Sequence, residues 1–164
     1  MKIVVLSDTH GDGDIIPTVV AAHPDADAYF HCGDSELAYD DPRIQQCKRV
    51  RGNCDGDIQY PVEEMVTIED RTIFMTHGHL FNVKTTLTPL SMRAREVAAN
   101  IVLFGHSHVL GAELVDDTLF LNPGSLRLPR GRKEKSYAVI EWQAGQYDIR
   151  FLDEQHQLIT AVKL

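Results

Sequence analysis

The sequence has no long hydrophobic run. Transmembrane helices need about 18 or more consecutive apolar residues, and no such stretch occurs. The apolar segment Ile3–Leu6 is too short for the core of a signal peptide, and no cleavage site of small residues follows it. These absences predict a cytoplasmic protein without a membrane partner.

Cysteine pairs and excess positive charge are also missing. The three cysteines, Cys32, Cys47 and Cys54, form no Cys-x-x-Cys pair, which argues against a disulfide framework and a structural zinc ribbon. The formal net charge is −8, and this argues against stable nucleic-acid binding because such domains usually present a basic surface. The one basic cluster, residues 127–135, is a candidate for guiding an anionic substrate, although its far end is better explained as a solvated loop.

The chain instead contains an alternation of strand and helix patterns that suits one α/β domain over residues 1–164. Helices are predicted over Asp12–Ala22 and Pro89–Ala99 from their apolar spacing. We expect two face-to-face sheets with helices outside, the last part of the chain being antiparallel. The predicted strands are Lys2–Leu6, Ala26–Phe30, Lys48–Arg51, Val62–Glu69, Thr72–Met75, Ile101–Phe104, Gly111–Val115, Thr118–Leu121, Tyr137–Glu141, Tyr147–Leu152 and Leu158–Val162.

Five of these apolar runs end in short polar clusters. The clusters contain Asp8 and His10, then Asp34, Asn53 and His77, and finally His106 and His108. The carboxyl ends of strands in open α/β sheets form ligand sites, and imidazole, carboxylate and amide oxygens suit divalent transition-metal ions. The pattern therefore predicts a site for two metal ions.

Each cluster taken singly has a simpler explanation. Asp8 and His10 could cap the following helix, and Asp34 and Asn53 could stabilise glycine-bearing turns. Asn122–Ser125 is either part of the site or a tight turn. His31 is expected to face the core or a neighbouring loop, and we expect His23 and His156 at the surface.

The order of these motifs resembles that of the calcineurin-like metallophosphoesterases, and most closely their small single-domain bacterial and archaeal phosphodiesterases. The resemblance runs from Met1 to about Ser125. The motifs are Asp8-Thr9-His10, Gly33-Asp34, Gly52-Asn53, His77 and Gly105-His106-Ser107-His108. The resemblance implies a four-layer αββα sandwich of two mixed β-sheets flanked by helices.

The resemblance also implies a dinuclear metal centre. One ion would be held by Asp8, His10 and His108 and the second by Asn53, His77 and His106, with Asp34 bridging them. A metal-bridging hydroxide would attack phosphorus, so Asp34 and Asn53 would serve catalysis as well as metal binding. Manganese is the favoured ion; nickel, iron and zinc also suit nitrogen and oxygen ligands.

Cys54 is a departure from many phosphatases of this family, which carry histidine after the asparagine. A thiol is a less obvious proton donor than an imidazolium, so we hypothesise that leaving groups needing little protonation, such as aryl esters, are favoured. His79 is a further catalytic candidate, as a substrate contact, an acid or a support for the ligands.

The leading functional interpretation is a metal-dependent phosphoesterase acting on a small phosphorylated substrate, with diesters favoured over monoesters. The alternatives are a cyclic-nucleotide phosphodiesterase or nuclease, and a non-catalytic scaffold like the retromer subunit, which shares this fold. A homo-oligomer is compatible with the sequence.

Overall fold

Eleven strands, two α-helices and two short 3-10 helices (Pro42–Ile44 and His79–Phe81) form the regular structure of the computed structural model, which describes residues 1–164. The strands are β1 (Lys2–Leu6), β2 (Ala28–His31), β3 (Cys47–Arg49), β4 (Glu63–Ile68), β5 (Arg71–Thr76), β6 (Ile101–Leu103), β7 (Gly111–Val115), β8 (Thr118–Asn122), β9 (Tyr137–Gln143), β10 (Gln146–Leu152) and β11 (Leu158–Lys163). The helices are α1 (Ile15–Ala22) and α2 (Thr88–Glu96), and neither is long and apolar enough to cross a membrane.

Both sheets mix parallel and antiparallel pairs. The first has the strand order β11-β10-β9-β1-β2-β3, in which β1, β2 and β3 are parallel and β9 to β11 are antiparallel. The second has the order β4-β5-β6-β8-β7, with a parallel centre and antiparallel outer strands. Neighbouring parallel strands present their carboxyl ends at one edge, which is where ligand sites form.

Three apolar clusters define four layers. The largest lies between the sheets and includes Ile3 and Ile73. A second cluster joins α1 to the outer face of the first sheet, and a third joins α2 to the outer face of the second. The predicted αββα sandwich of two mixed sheets is therefore confirmed.

Strand β1 illustrates why the inner strands lack a polar face. Successive side chains of a strand point to opposite sides. Ile3 and Val5 belong to the cluster between the sheets, whereas Val4 and Leu6 belong to the cluster under α1. All four side chains are buried, since both faces of this strand are covered.

Helix α1 begins three residues later than predicted and α2 ends earlier. Gly13 lies in the turn before α1, and glycine is a poor helix former. Helix α2 ends at Glu96, and Ala98 adopts a left-handed backbone with φ 54° that terminates the helical path. The predicted helices were too long because apolar spacing continues past the residues at which the helical backbone conformation begins or ends.

Two sequence-based expectations are wrong. The part of the chain after β6 is not wholly antiparallel: β8 pairs antiparallel with β7, as expected, but parallel with β6, because the β7–β8 hairpin places β7 at the edge and β8 between β7 and β6. His23 is only 8% exposed rather than at the surface, and its Nε2 lies 2.8 Å from the hydroxyl of Tyr137. His156 contacts the same hydroxyl through Nδ1 at 2.8 Å.

Candidate metal centre

The predicted ligands lie at the carboxyl ends of strands from both sheets. Asp8 and His10 follow β1, Asp34 follows β2 and Asn53 follows β3. From the second sheet, His77 follows β5, and the loop after β6 carries His106 and His108. The site therefore spans the junction between the two sheets.

Five of these residues share an unusual backbone conformation. Their φ angles are 56° at Asp8, 42° at His10, 57° at Asp34, 70° at His106 and 60° at His108. Left-handed backbone costs roughly 1–2 kcal/mol for residues with a Cβ, and such strain collects at functional sites. Turn residues such as Asp117 share this conformation, so the convergence of donor atoms, rather than the backbone alone, distinguishes these loops from simple turns.

The buried Oδ1 atom of Asp8 is the centre of one group of donor atoms. It lies 3.0 Å from Nε2 of His108, 3.6 Å from Nε2 of His10 and 3.8 Å from Nε2 of His77. This oxygen has no hydrogen-bond partner. A buried carboxylate oxygen without a donor, facing imidazole nitrogens, fits a cation ligand.

Asp34 connects that group to a second one. Its Oδ2 lies 3.2 Å from Nε2 of His77 and 3.9 Å from Nε2 of His10, and His77 Nε2 is 3.1 Å from Asn53 Oδ1. Ligands with bonds of about 2.1 Å to one ion are themselves about 3 Å apart. The residues thus fit divalent ions, with Asp34 between two sets of donors.

His106 lies beside these two groups of donor atoms, but its ring nitrogens are not part of either group. Its ring centroid lies 5.1 Å from that of His77, and its backbone N–H donates to Asp8 Oδ2 at 3.1 Å. Three groups of donor atoms converge within 4.8 Å, and His106 is in none of them: Asp8, His10 and His108; Asp8, Asp34 and His77; and His10, Glu36 and Cys54.

Three imidazoles are oriented by a hydrogen bond from the nitrogen facing away from the centre. Such outer bonds fix the ring and direct Nε2 at a cation. The bonds run from His10 Nδ1 to Glu36 Oε1 (2.7 Å), from His77 Nδ1 to the carbonyl of Cys32 (2.8 Å) and from His108 Nδ1 to the carbonyl of Leu128 (2.6 Å). Sequence reasoning missed Glu36, and no local pattern marks it, because its partner is distant in the chain.

Asp55 is a second residue that sequence reasoning missed. Its carboxylate accepts backbone N–H groups from Asp34 (2.8 Å), Glu36 (2.8 Å) and Gly52 (2.7 Å). It therefore ties the loop after β2 to the loop after β3. Its position two residues beyond Asn53, inside a glycine-bearing loop, was the available signal.

Two glycines leave room for the carboxylates. A Cβ added at Gly52 would lie 2.6 Å from Cγ of Asp34, and one at Gly105 would lie 2.6 Å from Oδ2 of Asp8. Heavy atoms do not approach so closely without displacement. The glycines before Asn53 and His106 are thus required by the packing of the acidic side chains.

The charges of the site follow from this packing. Burial opposes ionisation of Asp8, but His10, His108 and His77 outweigh it and hold its pKa well below the usual range. The nearby carboxylate of Asp8 raises the pKa of His10 to about 9, whereas burial and the neighbouring His77 lower the pKa of His106 to about 4. Asp8 is therefore an anion at neutral pH, and His106 is a neutral imidazole, the form that ligates metal.

His79 and Cys54 lie at the edge of the site. The His79 ring centroid is 5.4 Å from that of His77, its Nδ1 is buried without a partner, and burial lowers its pKa. Cys54 is exposed, and its backbone N–H donates to Asp34 Oδ1 at 2.8 Å. Partial burial and the charge of Asp34 raise the pKa of the Cys54 thiol to about 11, so it stays protonated at neutral pH.

Other predicted residues support the loops. His31 is buried, as expected, and lies 3.0 Å from the hydroxyl of Thr9. The segment Asn122–Ser125 reaches the site: Asn122 Nδ2 donates to the carbonyl of Gly105 at 3.0 Å, and Ser125 Oγ donates to the carbonyl of Asp8 at 2.7 Å. This segment holds two ligand-bearing loops in place.

Comparisons with known proteins agree with this geometry. A family model described as the calcineurin-like phosphoesterase superfamily domain matches residues 1–145. The protein named "Probable metallophosphoesterase YsnB" of Bacillus subtilis (strain 168) is 39% identical over 155 residues, which cover 94% of this chain and 92% of that protein. Phosphodiesterase YfcE of Escherichia coli (strain K12) is 31% identical over 100 residues, covering 56% of this chain and 50% of YfcE.

A solved structure extends the similarity to the whole fold. The crystal structure of a predicted phosphoesterase from Streptococcus pneumoniae TIGR4 superposes with a TM-score of 0.96 at 37% sequence identity, covering 99% of this chain and 96% of that one. The family model, the relatives and the donor groups at the strand ends all agree. The chain belongs to the calcineurin-like phosphoesterase superfamily.

Proposed function

We propose that this protein is a phosphodiesterase that hydrolyses small phosphate esters at a centre of two divalent ions. The position of Asp34 between two sets of donors is the observation that carries the proposal. One ion would be held by Asp8, His10 and His108, and the other by Asn53, His77 and His106, with Asp34 shared. Two bound ions would supply an activated water molecule and neutralise charge on the phosphate oxygens.

The chain's own residues would fix and attract the substrate. Glu36 and the carbonyls of Cys32 and Leu128 hold the imidazoles. Arg51 and Lys84 form no ion pair, and their charges lie close enough to lower the pKa of His79 and His106 respectively. We infer that these two cations draw an anionic phosphate towards the centre.

Preference for diesters with good leaving groups is proposed from Cys54. By the family resemblance, its thiol would take the place of the imidazolium acid that protonates the departing alkoxide, and its pKa of about 11 makes it a weak acid. A relative with 31% identity bears the name Phosphodiesterase YfcE. Aryl leaving groups need little protonation and would be favoured.

Cys54→His should change this preference. We expect the ratio of alkyl to aryl diester turnover to rise about tenfold or more, since a positioned general acid contributes roughly 10²–10⁴-fold. Steady-state rates on matched methyl and 4-nitrophenyl diesters measure the ratio. Cys47→Ser, at a buried thiol away from the site, is the control, and an unchanged ratio in Cys54→His would contradict the role of Cys54.

The proposed activity is tested with bis-(4-nitrophenyl) phosphate and 4-nitrophenyl phosphate in the presence of manganese. We expect hydrolysis of the diester, abolished by a chelator and by Asp34→Asn, and restored to the chelated wild type by manganese. Asp117→Asn, an exposed carboxylate in the β7–β8 turn, is the control. Activity that survives Asp34→Asn would sink the proposal. Nickel, iron and zinc tested in parallel would check the proposed preference for manganese.

A scaffold is the second candidate function. Four of the eight large exposed hydrophobic side chains, Ile58, Leu80, Val109 and Leu128, lie on the loops around the centre, and exposed apolar groups mark interaction surfaces. A protein partner seated there would cover the metal ions. Tight metal binding without turnover of any phosphoester would favour this candidate over the enzyme.

A further inference from the structure

The basic segment, residues 127–135, carries five cationic side chains and one acidic side chain, Glu134. Its Arg127, Arg130, Arg132, Lys133 and Lys135 form no ion pair, although the chain carries a net charge of −8. Seven basic residues elsewhere do pair with carboxylates: Lys2, Arg43, Arg71, Arg93, Arg95, Arg150 and Lys163. An unpaired basic segment in an acidic protein is available to an external anion.

The near end of the basic segment is attached to the metal centre. The Leu128 carbonyl accepts from His108 Nδ1 at 2.6 Å, and the Arg130 N–H donates to the His108 carbonyl at 3.0 Å. Ser125 Oγ accepts from the N–H groups of Arg127 (3.1 Å) and Leu128 (2.8 Å) and donates to the Asp8 carbonyl. The backbone at Arg127 and Arg130 is therefore held beside two proposed ligands.

The chemistry of these side chains selects a phosphate or a similar oxyanion. Guanidinium groups bind phosphate through two parallel hydrogen bonds. The phosphate that reacts would lie at the metal centre, close to Arg51 and Lys84. Arg127 and Arg130 are exposed and belong to the loop after β8, a different loop from those of Arg51 and Lys84. They are therefore available to another anionic group on the same molecule.

We propose that the basic segment binds a second phosphate of the substrate, so that the substrate class is a small ester with at least two phosphates. This inference rests on the proposed function. A long nucleic acid is a poor match, because the net charge of −8 would repel a polyanion extending beyond the segment. A compact ligand would place its negative charges only at the metal centre and the basic segment, away from the acidic remainder of the surface.

The first test compares two esters that differ only in one phosphate: thymidine 5′-(4-nitrophenyl phosphate) and its 3′-phosphorylated form. We expect wild-type protein to favour the 3′-phosphorylated ester by about tenfold in kcat/KM. Arg127→Gln/Arg130→Gln should bring the ratio close to one while leaving turnover of the singly charged ester intact. The preference should also shrink as salt is raised, because exposed charges are screened.

The control is Lys48→Gln/Lys163→Gln, which removes the same charge from the two edge strands of the first sheet. This variant should keep the wild-type ratio. A wild-type ratio near one, or a ratio that the Arg127/Arg130 variant leaves unchanged, would overturn the inference. An equal loss of the preference for the 3′-phosphorylated ester in both double variants would show that net charge, and not the basic segment, causes the preference, and would also overturn the inference.

A binding measurement separates this inference from the proposed function. Should neither ester be hydrolysed, the proposed activity fails, and calorimetry with manganese-loaded protein decides the inference alone. Tighter binding of thymidine 3′,5′-bisphosphate than of thymidine 5′-phosphate, lost in Arg127→Gln/Arg130→Gln, would support it; equal binding would overturn it. Still tighter binding of a longer oligonucleotide by the same arginines would assign the segment to nucleic acid instead.

Discussion

Single hydrogen bonds decide where the imidazole rings of the centre point. The bond from His10 Nδ1 to Glu36 joins two loops, and its length of 2.7 Å is that of a charge-assisted bond. Glu36 itself adopts a left-handed backbone with φ 58°. Loss of this carboxylate would free the His10 ring to rotate away from Asp8.

Glu36→Ala should weaken metal binding at the site of Asp8, His10 and His108. Outer partners of metal-bound histidines are worth about 10- to 100-fold in affinity or activity, so a loss of that size is expected in a manganese titration. Glu36→Gln should recover part of it, since an amide oxygen still accepts from Nδ1. Glu154→Ala, on an exposed loop, is the control; equal affinities in Glu36→Ala and wild type would refute the role.

His23 is a buried histidine outside the centre. It is hydrogen-bonded with Tyr137, and burial together with the charge of Lys2 lowers its pKa to about 4. An unfolded histidine has a pKa of about 6.5. The unfolded chain therefore binds the proton more tightly than the folded one. The contribution of neutral His23 to the free energy of unfolding is fully present above pH 6.5 and declines as the pH falls towards 4.

Stability should consequently fall between pH 6.5 and pH 4 with a slope of at most about 1.4 kcal/mol per pH unit from this group. Urea unfolding across that range measures the slope. His23→Gln should be less stable at pH 7 and show a shallower decline, because glutamine does not titrate. A decline identical to that of wild type would exclude His23 as its source.

The loops after the strands, more than the strands themselves, determine the geometry of the centre. Asp55 joins the loops after β2 and β3, and Ser125 joins the loop after β8 to the one after β1. Inner strands such as β1 and β6 were predictable because their side chains are apolar on both faces. The loop conformations were not, because they depend on contacts between segments far apart in the chain.

Gly52→Ala should disable the centre. The added Cβ would collide with Asp34, and a displacement of about 1 Å at a reactive group can cost about 100-fold in rate. Diester hydrolysis and manganese affinity should both fall, with a stability loss of about 1–3 kcal/mol from overpacking. Gly56→Ala, on the same loop with nothing within 4 Å, is the matched control. Full activity in Gly52→Ala would show that Asp34 tolerates movement.

The whole molecule brings the edges of two sheets together at one set of acidic and imidazole groups. Asp8 and Asp34 are both buried there, and five candidate ligands carry left-handed backbone. Bound cations would offset the negative charge and stabilise the folded state, because an unfolded chain presents no such arrangement.

Manganese should therefore raise the melting temperature. An ion at about 100 times its dissociation constant contributes about 2.7 kcal/mol, or roughly 5–10 °C for a chain of this size. Asp34→Asn should abolish most of the shift, whereas Asp117→Asn, also at positive φ (65°), should keep it. Scanning calorimetry with and without the ion measures the effect; an equal shift in both variants would place the ion elsewhere.

The amino-acid sequence by itself determined the sandwich and the candidate residues. Apolar runs such as Ile3–Leu6 must be buried wherever they occur, and polar clusters at their ends must meet at a sheet edge. The order of Asp8, Asp34, Asn53, His77 and His108 identified the family, which the comparisons confirm.

Only the tertiary structure decided how these residues are supported. Glu36 and the carbonyl of Leu128 act on partners distant in the chain, so no local spacing reveals them. Asp55 lies in the loop of Asn53, but its contacts with Asp34 and Glu36 are seen only in the structure. The burial of His23 and the parallel placement of β8 were likewise set by packing between segments. The spacing of apolar residues predicts which side chains are buried. The three-dimensional path of the whole chain determines which residues those side chains contact.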